Sequence, residues 1–397
     1  MSEELRTTTL DETAARVEDG LRACVDRDEL LGLTWLVAQG EDVRSGAIGH
    51  LDAERTRPVE LDSIFRISSM TKPLTAAVAL MLVEDGAMSL GDPVDPWLPE
   101  LADRRVLVRP SAPLDETVPA ARPITVEDLL TFRLGLGMDF TDWDPTPLDD
   151  ELRRLGLGAG PPAPAEAPAP DEWIRRLGTV PLRYQPGERW LYEVGADVLG
   201  VLIARVVGRP FDRVLAERLC EPLGLGDTAF WVPEDRRDRF GACFSVDEAG
   251  DRVVYDPTDG QWAAPPAFPG GGAGLVSTLE DFWRFSELLR LGGTLGGHTL
   301  LRADTIDAMT TDHLTAEQRA HGPEPDGEGG WGLGVGVRAA SDGVVPTGAY
   351  GWDGGLGSVW RTDPATGRTV VLLTNQMWTS PVPPPVCDVV LSALAEP

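Results

Sequence analysis

Apolar and polar positions change period along this chain, and the changes mark its elements. Helical spacing runs over about 11–27, and alternation over Leu33–Gln39 and Ser45–His50 predicts a strand pair. Residues 66–86 hold a strongly apolar helix. Leu74, Val78, Met81 and Leu82 fall on one face, and Gly86 marks its stop. Ile124–Phe132 reads as a helix capped by Thr125, closing near Gly135-Leu136-Gly137. Further helices are expected over 194–207 and 212–219. Gly270–Gly274 reads as a turn before Leu275-Val276-Ser277, followed by a helix to about Leu291. Strand alternation returns over 331–338, 356–362 and 369–375, and a last helix is expected near 383–394. Strands at both ends with helices between them predict an α/β architecture. Segments 1–66 and 268–397 form one discontinuous sheet domain, and 67–267 is an inserted, mainly helical domain.

Two proline-rich stretches, 109–123 and 156–171, interrupt the middle of the chain. The second reads as an exposed loop with polyproline character, either an insertion or a lid.

Composition narrows the chemistry. The net charge of −29 argues against nucleic acid and against an anionic membrane as partners. The start of the chain, Met1 to Arg6, has no basic segment leading into an apolar run, so a cytoplasmic location is expected. The four cysteines, Cys24, Cys220, Cys243 and Cys387, are scattered and read as free thiols. The four histidines, His50, His298, His313 and His321, lack zincin spacing, and neither a metal nor a cofactor is expected. There is no Gly-x-Ser-x-Gly elbow and no Gly-Lys phosphate loop.

One residue stands out against that background. Lys72 is the only lysine, and arginine fills the other basic positions. Arginine serves as a charge but cannot accept a proton in proteins, whereas an amine can. Ser69 lies three residues earlier, in Ser69-Met70-Thr71-Lys72. Pro73 is tolerated only in a first helical turn, which puts Ser69 at the helix entrance and Lys72 on the same face. Free N–H groups and the positive dipole end favour an alkoxide and an oxyanion there. The plain alternative is a serine cap and a leftover surface lysine.

A serine–amine pair needs another proton carrier. Tyr192 follows the turn Pro186-Gly187 and opens a helix. A phenol beside an ammonium would have a lowered pKa and serve as base, while a packed aromatic is the competing reading. Gly351-Trp352-Asp353-Gly354-Gly355-Leu356-Gly357-Ser358 precedes a strand. It reads either as a hairpin turn or as backbone open to close approach by a ligand.

These segments, in this order, resemble the serine β-lactamase and penicillin-binding-protein superfamily, in particular its class C-like branch of esterases and transacylases. Phe65–Pro73, Ser89–Val94, Ile124–Thr131, Gly274–Thr278 and Gly330–Gly334 are also similar to the family's patterns. The resemblance implies an antiparallel sheet flanked by helices, with the site between the sheet and the helical domain. It implies Ser69 as acylated nucleophile and Lys72 and Tyr192 as proton carriers. The N–H groups of Ser69 and Gly355 would form the oxyanion hole. Trp352, Asp353 and Gly354 stand in place of the Lys-Thr-Gly box, and Val194 replaces the asparagine of Tyr-x-Asn, all four as substrate-binding positions. Losing that lysine and asparagine removes groups that hold a β-lactam or peptide substrate. The expected substrate is therefore a small-molecule ester or acyl donor. Hydrolysis is the leading expectation, acyl transfer to an alcohol or amine the alternative, and β-lactam or D-peptide cleavage the less favoured one.

Overall fold

A computed structural model describes residues 9–158, 160–324, 327–380 and 384–395. Its centre is a seven-stranded antiparallel sheet. The strands are β1 (Gly32–Gln39), β2 (Asp42–Gly49), β3 (Gly329–Trp331), β4 (Gly336–Arg338), β5 (Tyr350–Gly354), β6 (Ser358–Asp363) and β7 (Arg368–Thr374), in the order β3-β4-β5-β6-β7-β1-β2. Strand β1 pairs with β7, so the early hairpin closes onto the C-terminal meander.

The sheet is covered on both faces, which is why β1 is buried along nearly its whole length. Leu33, Trp35 and Val37 face α1 (Leu10–Asp26) and the C-terminal helix. Leu36 and Ala38 face the larger core, together with Trp360, Val371 and Leu373. There α2 (Thr71–Glu84), α3 (Val194–Val207) and α4 (Leu279–Arg290) pack, and Phe282 and Phe285 of α4 lie edge-on to Trp360. The C-terminal helix, α5, spans Val386–Leu391.

Helix α2 is buried from Thr71 through Leu82, not on one face only. A helix apolar all round belongs inside a core, and α2 packs against α3 there. The cap at Thr125 is present as a full capping box with Asp128. The expected strand 331–338 is instead two short strands, β3 and β4, turned by Gly332–Val335. The segment Gly351–Ser358 is a hairpin, with Gly351–Gly354 in β5, a turn over Gly355–Gly357 and Ser358 opening β6. The middle of the chain also carries small strand pairs, Arg105–Leu107 with Thr117–Pro119 and Cys243–Val246 with Arg252–Asp256.

Candidate active site

The site is built where α2, the start of α3, the Gly270–Gly274 loop and β5 meet. Phe65–Arg66 pairs with Val276–Ser277, and this ribbon feeds a tight turn over Ser68–Met70. Ser68 sits at φ +44°, a region costly for a residue with a side chain. Ser69 follows it directly, at the entrance of α2.

Lys72 is fully buried. Its Nζ donates to Ser69 Oγ at 2.8 Å and to the Gly272 carbonyl at 2.7 Å. Glu193 Oε1 lies 3.8 Å away, and the Tyr192 ring centroid 4.5 Å. The glycine loop is fastened to α2 by two further bonds: Thr75 Oγ1 to the Gly271 carbonyl (2.8 Å) and the Leu275 N–H to Thr71 Oγ1 (3.1 Å). A Cβ on Gly271 would lie 2.4 Å from the Ala196 carbonyl, so only glycine brings this loop close enough to present its neighbour's carbonyl to the lysine.

Tyr192 is clamped by paired backbone hydrogen bonds with Met138. Its phenol oxygen accepts the Trp352 Nε1–H at 2.8 Å. Phe132, Phe140, Trp190 and Trp352 surround the ring. The expected lowering of the Tyr192 pKa is corrected here. Burial pushes it up. The Lys72 charge, with hydrogen bonds from Ser69 and Trp352, pulls the other way without cancelling the desolvation, and Glu193 adds to the rise.

The structure brings Ser69, Lys72, Tyr192 and Trp352 together. Gly354 packs against the Ile67 carbonyl, which also accepts the Ser358 hydroxyl at 3.0 Å, so the β5–β6 hairpin is stitched to the turn before Ser69. Gly355 lies exposed at the tip of that hairpin. Val194 opens α3 and lines a cavity of about 620 Å³ beside Tyr192 and Glu193. Asp353 is not brought to the site. Side chains alternate along β5, and its carboxylate turns to the α1 and α5 face, where Arg361 holds it at 2.8 Å. Trp352 is itself buried, and its polar edge is committed to Tyr192.

Three groups escaped sequence reasoning: the Gly272 carbonyl, Glu193 and Asp197. Glu193 occupies φ +83°, directly after Tyr192. Asp197 accepts the Gly272 N–H at 2.9 Å. Burial pushes Asp197 up to about 6, Glu193 adds to this, and the Gly272 N–H and Lys72 oppose it. The four-residue spacing of Glu193 and Asp197 on a helix start was the available signal.

A serine and a buried lysine at one helix start thus meet a tyrosine from a second helix start beside an antiparallel sheet. The chain matches the Beta-lactamase family model over residues 17–384 and belongs to that family. It is 35% identical over 365 residues to protein Rv1367c of Mycobacterium tuberculosis, covering 89% of this chain and 88% of that one. It is 31% identical over 383 residues to the esterase EstB of Burkholderia gladioli, covering 91% and 90%. Among solved structures it is similar to EstCE1, a hydrolase with promiscuous acyltransferase activity. There the TM-score is 0.81 and the identity 25%, with 97% of this chain and 99% of that one covered.

Proposed function

We propose that this protein is a serine carboxylesterase working through an acyl-enzyme on Ser69. The observation that carries the reading is the 2.8 Å contact between Ser69 Oγ and the buried Lys72 Nζ. Ser69 Oγ attacks the ester carbonyl and its proton passes to the Lys72–Tyr192 pair. The N–H groups of Ser69 and Gly355 hold the oxyanion. The C–O bond to the alcohol breaks, and Tyr192 returns the proton to the departing oxygen. Water then repeats the attack, frees the carboxylic acid and restores Ser69. Similarity to EstB supports an ester as substrate. Val194 lines the cavity, and Trp352, at the place of the Lys-Thr-Gly lysine, offers no cation to a carboxylate. A cytoplasmic setting is part of this reading, supported by four free, buried thiols; among the described residues no helix is long and apolar enough to cross a membrane.

Brief exposure to p-nitrophenyl acetate should add one acetyl group to the peptide containing Ser69. Acetylation elsewhere, or none, refutes the reading. Transfer to an alcohol or amine is the second reading. It is favoured by the wall of Phe132, Trp190, Trp331 and Trp352 around Tyr192, which limits water at the acyl-enzyme, and by similarity to EstCE1, a hydrolase with promiscuous acyltransferase activity. Hydrolysis that no added alcohol or amine can outcompete would leave the plain esterase.

A further inference from the structure

The cavity beside Tyr192 has a charge that the proposed ester chemistry does not require. At its inner end lie Glu193 and Asp197, one helical turn apart. The cation nearest Glu193 is Lys72, beyond hydrogen-bond reach at 3.8 Å and already donating to Ser69 and Gly272. Asp197 accepts a hydrogen bond from the Gly272 N–H. Among the described residues lining the cavity, the cations are Arg153 and Arg183. Arg153 is bonded to Asp150 at 2.8 Å and Arg183 to Asp149. Both are paired with acids of their own.

The outer end repeats the theme with different chemistry. Trp143 lines the cavity and is 58% exposed, an unusual position for a large aromatic. It stacks on Phe140 at 5.7 Å and 14°, and Phe140 in turn touches the Tyr192 ring at 5.0 Å. Asp142 and Asp144 flank it and also line the cavity. An aromatic face between carboxylates attracts a cation, best a weakly hydrated quaternary one, and the negative field of the cleft raises its local concentration.

We propose that this cavity is an ammonium-selective subsite. In it Glu193 and Asp197 receive the cationic group of an ester substrate, Trp143 guides it in, and carboxylate-bearing esters are turned away. The inference rests on the esterase reading and adds the substrate class. Both acids are supplied by the segment that carries Tyr192, so a bound ammonium lies close to the reacting carbonyl, on either its acyl or its alcohol side. Ionised Asp197 is needed in full, so the selection strengthens as pH rises through about 6. The charged groups facing Asp197 are Glu193 on its own helix and Lys72 on α2; the Gly270–Gly274 loop presents only backbone.

The test compares kcat/KM for matched esters. On the acyl side these are the p-nitrophenyl ester of γ-trimethylammoniobutyric acid, its tert-butyl carbon isostere, and the p-nitrophenyl half-ester of glutaric acid. On the alcohol side they are butyrylcholine and its carbon isostere. The expected result, in at least one series, is an ammonium ester favoured about tenfold or more over the isostere, with the glutarate half-ester slower still. Glu193→Gln and Asp197→Asn should each cut that ratio severalfold, and the ratio is read independently of any loss in overall rate. Ratios within about twofold of unity in both series, or ratios unchanged in both variants, overturn the proposal. Acetylation of Ser69 by p-nitrophenyl acetate is measured alongside. A labelled serine without charge discrimination defeats the subsite alone, and an unlabelled serine defeats the esterase reading and the subsite with it.

Discussion

Trp352 donates its indole N–H to the Tyr192 phenol oxygen at 2.8 Å, so the residue at the place of the Lys-Thr-Gly box serves the tyrosine directly. The bond stabilises negative charge on the phenol against the burial that opposes it. Trp352→Phe keeps an aromatic ring and removes the donor. The expected result is acylation slowed about five- to tenfold, the equivalent of one hydrogen bond of about 1 kcal/mol. Rapid-quench measurement of the acylation step checks it, and an unchanged rate would show the bond to be structural only.

Lys72→Arg keeps the charge and loses the removable proton. It should fold and lose acylation by about 10²- to 10⁴-fold, and Tyr192→Phe should lose a comparable factor. Burst kinetics with an activated ester measure both. More than about a tenth of wild-type activity in Lys72→Arg would refute proton exchange with Ser69.

Asp197 links the site to stability. Its folded pKa is raised from 3.8 to about 6. Between these values the unfolded chain has released the proton and the folded chain still holds it. Stability therefore falls as pH rises through that window, and the full penalty persists above it. Asp197→Asn keeps an acceptor for the Gly272 N–H and removes the charge. It should be more stable than wild type at pH 7.5 by about 1–3 kcal/mol, with the gap closing by about pH 4. Denaturant titrations at the two pH values decide it; a less stable variant at pH 7.5 contradicts the assignment.

Arg66 stands three residues before Ser69 and is buried against Asp256, with Nε to Oδ2 at 2.8 Å and its guanidinium over Phe240 at 4.0 Å. Asp256→Ala leaves that charge unpaired inside the protein. A loss of about 3–5 kcal/mol is expected, measured by thermal or chemical unfolding. A change below about 1 kcal/mol would mean that water reaches Arg66 after all.

Ser69 and Lys72 are legible in the sequence because their relation is local, one helical turn with a proline that fixes its start; Tyr192 lies far along the chain and is picked out only by its resemblance to the family's tyrosine. What depended on the strand's pleat was less legible. Trp352 and Asp353 are adjacent in sequence, yet β5 sends them to opposite faces, one to Tyr192 and the other to Arg361. The Gly270–Gly274 turn was readable, but a carbonyl aimed at Lys72 carries no side-chain signature. Nor does sequence announce a glutamate at positive φ, since that conformation is imposed by the surrounding packing. The break at Gly332–Val335 was missed because alternation runs on through it.

The buried state of Lys72 also decides how this protein meets reagents that seek primary amines. A chain with one lysine, its side chain closed to solvent, offers no lysine amine on the folded surface. Succinimidyl dyes, aldehyde fixatives and enzymes that conjugate lysine find no such handle there until the fold opens. Acylation of Lys72 by a small amine-directed reagent would then serve as a clock for unfolding. Proteases specific for lysine gain little even after that, because the following residue is Pro73.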